Sequence, residues 1–592
     1  MPMGKEVKRL VVYIALFIGL VILLYQSHID DYPNTSAEGK AVLSLSEQKN
    51  TNVLSNILNS VNKFLRSPLD FGLKSPAEPL ALVNINLCQS LSSGNTYTLT
   101  ADISSSGDCF TINGLNNVII DGNGFTITST GNALALTGHA TGITLKNAIV
   151  NAGTGVLVSG GPFSSCSSAS AENIMIQNNN FINGGIEINN GVSTACNFAV
   201  KDNKFQNGGV MLANYGFNTL TNATVVNNYI SNGLTVSHFS NSLIRDNIVY
   251  KSSSSGMVGV FNGGSDDNHR LPGVKIINNS FIVRNSLDTV QDRIFELRSL
   301  DLSVFDSNYI ENSNTAPVGR IITVLVFSLN NSNFTNNIIK MSQLNGPSNQ
   351  QGALKLRTTT KNNYFFNNTI IALETAGSDA YEGSGSNICC DSNGNLDPNQ
   401  PCFAPPPNCT PPQCAVAPYD QQCYNHDNVF DSNTFIANNI AVHPYGDGYN
   451  ILFKNNILIG NPAIEIQSCP GIFTFYNNIF DGGNGNAFRV SNNCGDSIVR
   501  NNIFYTAGVV PISVGTASFS GDYNLFFPAF SSGQPNSISG QDPQFINPTA
   551  NPIFDSNYNL LRNYRLQSTS PAKDTGDPTT QVPIDKDGNV RP

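Results

Sequence analysis

This 592-residue sequence predicts an all-β fold, a chain wound into a parallel solenoid, and three observations predict it. The first is a phrase, Asn-Asn-x-Ile/Phe. It recurs as Asn179-Asn180-Phe181, Asn227-Asn228-Tyr229-Ile230, Asn278-Asn279-Ser280-Phe281, Asn336-Asn337-Ile338, Asn367-Asn368-Thr369-Ile370, Asn455-Asn456-Ile457, Asn477-Asn478-Ile479-Phe480 and Asn501-Asn502-Ile503-Phe504. Looser copies include Asp202-Asn203-Lys204-Phe205 and Ser307-Asn308-Tyr309-Ile310. The second is spacing. With the second polar residue of each copy as marker, starting at Asn180, gaps run from 19 (247 − 228) to 32 (279 − 247), with one of 65 (433 − 368). A fixed period with occasional additions marks a solenoid. The third is what precedes each copy. Val274-Lys275-Ile276-Ile277 and Ile451-Leu452-Phe453-Lys454 alternate with the period of a strand. Asn then supplies a tight bend, because it tolerates the left-handed backbone region. Identical asparagines stacked on successive rungs also bond to one another as a ladder. A strand, a bend and another strand, with no room for a helix, coil into parallel β-structure.

On these residues the chain resembles the right-handed parallel β-helix family, the pectate-lyase-like fold, over residues 86–530. Tyr97-Thr98-Leu99-Thr100, then Cys109-Phe110-Thr111-Ile112, then Asn117-Val118-Ile119-Ile120 look like the opening rungs of many exported β-helix proteins. In that resemblance Asp121-Gly122-Asn123-Gly124 is a structural turn. Its oxygens leave calcium open as a cofactor, although a bend that needs glycine accounts for the motif. The resemblance is specific for fold and weak for function.

From the N-terminus, Lys5, Lys8 and Arg9 precede an apolar run, Leu10 to Tyr25. Basic residues before a hydrophobic segment keep the N-terminus in the cytoplasm and send the remainder outside. The run is short for a membrane span, and no small-x-small cleavage site follows it. Residues 1–26 therefore read as a signal anchor holding the membrane through residues 10–25, with a removed signal peptide as the alternative. Residues 27–85 carry a polar linker, then Val53, Leu54, Ile57, Leu58, Val61, Phe64 and Leu65 at helical spacing. This short helix is expected to cap the open end of the solenoid. The coil is expected over 86–530, interrupted at 374–427 by a Cys- and Pro-rich loop insertion. Residues 531–592 look like the C-terminal tail of many exported β-helix proteins and are expected to close the last rung.

The twelve cysteines are even in number and read as disulfides in an oxidising compartment. Cys88 and Cys109 flank the first strand pair. Cys166 and Cys196 lie about one rung apart, as do Cys469 and Cys494. Cys389, Cys390, Cys402, Cys409, Cys414 and Cys423 fall in the insertion, where no paired C-x2-C spacing suggests a metal knuckle. Charged residues are 12 % of the chain and the net charge is −10, which argues against nucleic acid, whose phosphates need clustered Lys and Arg. Trp is absent, so any sugar platform would rest on Tyr or Phe.

Function on a solenoid sits on the outside of one sheet. Lining up Phe295-Glu296-Leu297, Leu354-Lys355-Leu356, Ile440-Ala441-Val442, Ile464-Glu465-Ile466 and Phe488-Arg489-Val490 sends each middle residue outward. Two residues on, the same face carries Arg298, Arg357, His443 and Gln467. The expected strip holds Glu296, Arg298, Lys355 and Arg357 close together, then His443, Glu465 and Arg489. The bland reading is solvated charge pairs across rungs, each worth under about 1 kcal/mol. The sharper reading is a polysaccharide site. Lyases of the resembling fold take a proton beside a uronic acid carboxylate with a basic residue, and other positive charge steadies the anion. Arg298, Lys355 and Arg357 are the candidate catalytic residues; Glu296, His443, Glu465 and Arg489 are the candidate substrate contacts. A hydrolase would need two carboxylates facing one bond, and the strip shows no such pair on adjacent rungs. The expectation is a disulfide-bonded β-helix outside the cell, with a polysaccharide or cell-surface glycan as partner. Binding or structure is its leading role; a polysaccharide lyase is the alternative. Asn222-Ala223-Thr224, Asn333-Phe334-Thr335 and Asn367-Asn368-Thr369 fit the glycosylation tripeptide, as chance alone allows in so Asn-rich a chain.

Overall fold

The computed structural model describes residues 80–592, apart from the segment 385–424, residue 592 and shorter connecting segments that include 160–173, 264–269, 285–292, 314–320 and 342–350. The apolar run at 10–25 and the helical pattern at 53–65 lie outside the described residues.

The described chain folds into strands throughout. Nearly all pair in parallel with the strand one rung later. Sheet one is 17-stranded and runs from Ala81–Ile85 to Phe519–Asp522. Sheet two runs from Ile103–Ser105 to Ile538–Ser539, and sheet three from Phe110–Ile112 to Ile512–Val514. The long strands Thr126–Leu136 and Ile149–Val158 bend through both sheets two and three. One strand from each sheet per turn makes a right-handed parallel β-helix. That is the hand parallel crossovers adopt.

Alternation along each strand puts one set of side chains inside, and aromatic residues fill much of that space. Phe365, Phe430, Phe453 and Phe475 stack through sheet one at centroid spacings of 4.6, 4.6 and 5.3 Å. Phe480, Phe504 and Phe526 stack likewise through sheet two at 4.9 and 5.2 Å. Stacking follows from the rung repeat of about 4.8 Å, which brings like residues face to face.

The corner between sheets one and two explains the repeated phrase. Its first residue takes a left-handed φ, as in Asn278 (53°), Asn336 (55°) and Asn501 (58°). Its second is a buried asparagine. In Asn337, the backbone N–H and Nδ2 both donate to Oδ1 of Asn368, at 2.9 and 3.0 Å, and Nδ2 also donates to the Phe305 carbonyl at 3.0 Å. Asn308 donates to Asn337 Oδ1 in the same way, at 3.0 Å through both groups. The ladder runs from Asn179 through Asn203, Asn228 and Asn247 to Asn502 and Asn524. The marker at Asn180 was one residue late, since Asn179 takes the ladder position in that copy. The offset arises because three asparagines stand in a row there, and only inward Phe181 fixes the register.

The expected turn is present at Asp121-Gly122-Asn123-Gly124. Asn123 and Gly124 have φ of 49° and 83°, and any Cβ on Gly122 would overlap Ala148. The Asp121 carboxylate accepts from the Asn123 N–H at 3.0 Å and from Asn147 Nδ2 at 3.0 Å, with Lys146 3.2 Å away. Cys88 and Cys109 form a disulfide with sulfurs 2.02 Å apart, and Cys196 is disulfide-bonded. Cys166, Cys469, Cys494 and the six insertion cysteines lie outside the described residues.

The C-terminal segment runs back along the outside of the coil. Phe545–Asn547 and Asn563–Leu566 form an antiparallel pair. Phe545 and Tyr564 pack with Ile436, Ile457 and Ile459 on the outer side of sheet two. Tyr564 Oη donates to Asp481 at 2.5 Å, and Arg500 meets Asp577 at 2.9 Å. Farther along, Asn455 Nδ2 donates to the Ile584 carbonyl at 3.0 Å. This seam covers apolar residues that would otherwise be exposed on the outer face.

Candidate functional site: the outer strip of sheet three

The outer column of sheet three reads, rung by rung, Glu187, Met211, Thr235, Val260, Glu296, Leu325, Lys355, Glu382, His443, Glu465, Arg489 and Ser513. Two residues on, the next column carries Asn262, Arg298, Phe327, Arg357 and Ser384. These pairings correct the expected strip in three ways. Leu325 stands between Glu296 and Lys355, so those two are separated by two rungs, roughly 9 to 10 Å. Val442 pairs with Tyr381 and Ile464, so His443, rather than Ala441, occupies the first column and follows Glu382. Glu382 belongs to the strand Ser378–Ser384, inside the stretch 374–427 expected to be an insertion. Its Gly- and Ser-rich neighbourhood hides the strand. The usable signal is Ala380-Tyr381-Glu382, which aligns with Ala353-Leu354-Lys355.

Outward direction does not mean solvent here. Glu296, Lys355 and Glu465 are 5 %, 1 % and 3 % exposed. Buried charges are retained when paired, and Lys355 and Glu465 are. Lys355 Nζ forms an ion pair with Glu382. Arg489 forms one with Glu465, and Gln467 Nε2 also donates to Glu465. The reading of solvated surface pairs is therefore replaced by a desolvated network, in which attraction is stronger than in water.

His443 stands at the centre of that network. Its Nδ1 is 2.8 Å from Asp379 Oδ2. Asp379 is the second residue of the strand of the preceding rung and is itself buried. Its Oδ1 accepts from Asn439 Nδ2 at 2.9 Å and from the Ile440 N–H at 3.3 Å. Burial pushes the Asp379 carboxyl above the usual carboxylate range, against the opposing pull of those bonds and of His443. Nδ1 is engaged by the carboxylate, which fixes the ring plane and leaves Nε2 as the ring's distal nitrogen. Sequence reasoning placed His443 in the strip but missed Asp379, 64 residues earlier. Register alone unites them.

Arg298, Phe327 and Arg357 form the outermost part of the strip. The two guanidinium carbons lie 5.7 and 5.6 Å from the Phe327 ring centroid, one from each side along the axis. Arg298 is exposed and Arg357 half-buried. Each contact is worth about 0.5–1 kcal/mol at an exposed site and holds a flexible cation in place. Of the other described histidines, His238 takes a bend position with φ of 55°, and His426 bonds to its chain neighbour Asp427 at 2.7 Å. Neither joins the strip.

No protein-family model matches this chain, and no curated protein matches it. Among solved structures, it is similar to the mannuronan C-5 epimerase A-module of Azotobacter vinelandii, at 9 % identity over 78 % of this chain and 87 % of that one, with a TM-score of 0.24. It is also similar to the surface adhesin PfbA of Streptococcus pneumoniae, at 13 % identity over 52 % and 90 %, TM-score 0.28. A third is the periplasmic alginate epimerase AlgG, at 8 % over 72 % and 77 %, TM-score 0.26. At these values no residue of theirs corresponds to a particular residue of the strip.

Proposed function

We propose that this is an exported β-helix protein that binds an acidic polysaccharide along the outer face of sheet three. The observation that carries the reading is the Arg298–Phe327–Arg357 arrangement. Two held cations, two rungs apart, match carboxylates that recur at about a disaccharide repeat, and the ring between them offers an apolar surface to a sugar. Planar guanidinium groups suit carboxylate recognition in particular. Lys355 and Glu465, buried in their ion pairs, and Glu296, buried two rungs from Lys355, support the strip from beneath and do not themselves reach a ligand. The N-terminal run 10–25 would keep the protein at the cell surface. The test is calorimetric titration with uronic-acid and neutral polysaccharides. Arg298→Ala and Arg357→Ala are each expected to weaken binding of the acidic polymer about tenfold, and added salt to weaken it further. Equal affinity for neutral and acidic polymers, or no loss in either variant, removes the reading.

A second reading is favoured by the His443–Asp379 contact. Here the bound polymer is cleaved by β-elimination. His443, whose Nε2 is buried and would have to be uncovered by the bound polymer, takes the proton beside one uronate carboxylate, Asp379 orients the ring, and Arg357 and Arg298, two and four rungs away, hold the carboxylates of neighbouring sugars. Lys355 positions Glu382 and does not act as base, since its ammonium is locked in an ion pair. Unsaturated product would be followed by absorbance. His443→Gln is expected to lower turnover about a hundredfold or more while binding persists. Absence of unsaturated product from every uronic-acid polymer leaves the binding reading alone.

A further inference from the structure

We propose that Asn333 carries an N-linked glycan and that the other described matches to the acceptor tripeptide do not: three belong to the exposed ladder of bend asparagines and Asn330 is buried. Five such tripeptides begin in the described chain, at Asn222, Asn278, Asn330, Asn333 and Asn367. Three of them occupy left-handed bend positions, with φ of 59° (Asn222), 53° (Asn278) and 52° (Asn367). Each uses its side-chain amide across rungs. Asn222 Nδ2 donates to Asn197 Oδ1 at 3.1 Å, Asn278 to Asp246 Oδ1 at 2.7 Å, and Asn367 to Asn336 Oδ1 at 2.9 Å. A sugar on such a nitrogen would have to fit beside a neighbouring rung about 4.8 Å away. Asn330 is only 3 % exposed.

Asn333 differs in each respect. It opens the strand Asn333–Thr335 on sheet one, in register between Val304 and Tyr364, and it is exposed. Its backbone N–H donates to the Ser303 carbonyl at 2.9 Å, so the main chain is anchored. Among the described residues its side-chain amide makes no hydrogen bond. A glycan there would project from sheet one and leave the strip on sheet three open. The oxidised Cys88–Cys109 pair is consistent with the exporting compartment in which such transfer occurs.

The donor is an oligosaccharide on a polyprenyl diphosphate. Nδ2 of Asn333 forms a bond to the sugar's anomeric carbon. The bond from that carbon to the diphosphate oxygen breaks, the lipid diphosphate leaves with the electron pair, and one amide proton passes to a base of the transferase. Transfer acts on the extended chain, so a glycan on a ladder asparagine would then hinder coiling of that rung.

The full chain would be secreted from a eukaryotic host. Enzymatic deglycosylation in isotopically heavy water then turns each glycan-bearing asparagine into a heavy aspartate, read by peptide mass spectrometry. Label at Asn333 and none at Asn222, Asn278 or Asn367 is the expected result. Asn333→Gln should remove one glycan from the intact mass, while Thr335→Ser, which keeps the tripeptide, should retain it. An unlabelled Asn333, or label at any of the three ladder asparagines in folded protein, overturns the proposal.

Discussion

Replacing Asn337 with alanine is expected to cost about 3 to 5 kcal/mol, because several buried groups lose partners at once. Asn337 Oδ1 accepts from both the backbone and side chain of Asn308, and Nδ2 serves the Phe305 carbonyl and Asn368. Alanine leaves the Asn308 N–H, one Asn308 amide hydrogen and the Phe305 carbonyl without those bonds. Each unsatisfied buried group costs on the order of 1–3 kcal/mol. The adjacent Asn336 provides the control. It is exposed, and its Nδ2 donates to Asp306 at 2.8 Å. Asn336→Gly preserves the left-handed φ of 55° and should cost about 1 kcal/mol or less. Guanidinium denaturation gives the difference, and amide hydrogen exchange at Asn308 locates it. Equal effects from the two variants would mean that the buried ladder contributes no more than the exposed one.

Lys355→Met is expected to destabilise the protein by about 3 to 5 kcal/mol, the cost of leaving a desolvated charge without its partner. Lys355 is 1 % exposed and pairs with Glu382, whose side chain is 14 % exposed. Methionine fills similar volume, so packing changes little and the electrostatic loss dominates. Removing both charges, Lys355→Met with Glu382→Gln, should recover most of the loss, because the penalty lies in the uncompensated carboxylate. A double-mutant cycle by denaturation measures the coupling. If the double variant is as unstable as the single one, the pair is not what stabilises the strip, and Lys355 acts through its packing.

The coil was legible because its signal is local and repeated. Left-handed Asn followed by buried Asn, one spacer and an inward Ile or Phe specifies a bend and an inward direction within five residues, and twelve or so copies reinforce one another. Even there, among three consecutive asparagines at 178–180, inward Phe181 alone sets the register, and the bond between Asn179 and Asn203 follows it. Cys88 and Cys109 were legible for the same reason, lying on neighbouring rungs close in sequence. The strip was legible only in part. Glu296, Arg298, Lys355, Arg357, Glu465 and Arg489 face outward as the alternation required. Leu325 was passed over because Val324-Leu325-Val326 is apolar on both faces and shows no alternation. Glu382 and Asp379 were passed over because Gly- and Ser-rich sequence resembles a loop.

The parallel coil, its period, its asparagine corner and the outward residues of most strands can be read from the amino-acid order, since each depends on neighbours a few positions away. Which outward residues meet is set by the register of the folded coil. Whether Lys355 faces Glu382, and whether His443 reaches Asp379, depends on how many residues each connection adds between rungs. That length varies from 19 to 65 residues along the ladder without altering the strands it joins. Burial was decided there too. Alternation sends a side chain outward, but its dielectric surroundings depend on what packs over that face, and this turns Lys355 and Glu465 from surface charges into members of a buried network.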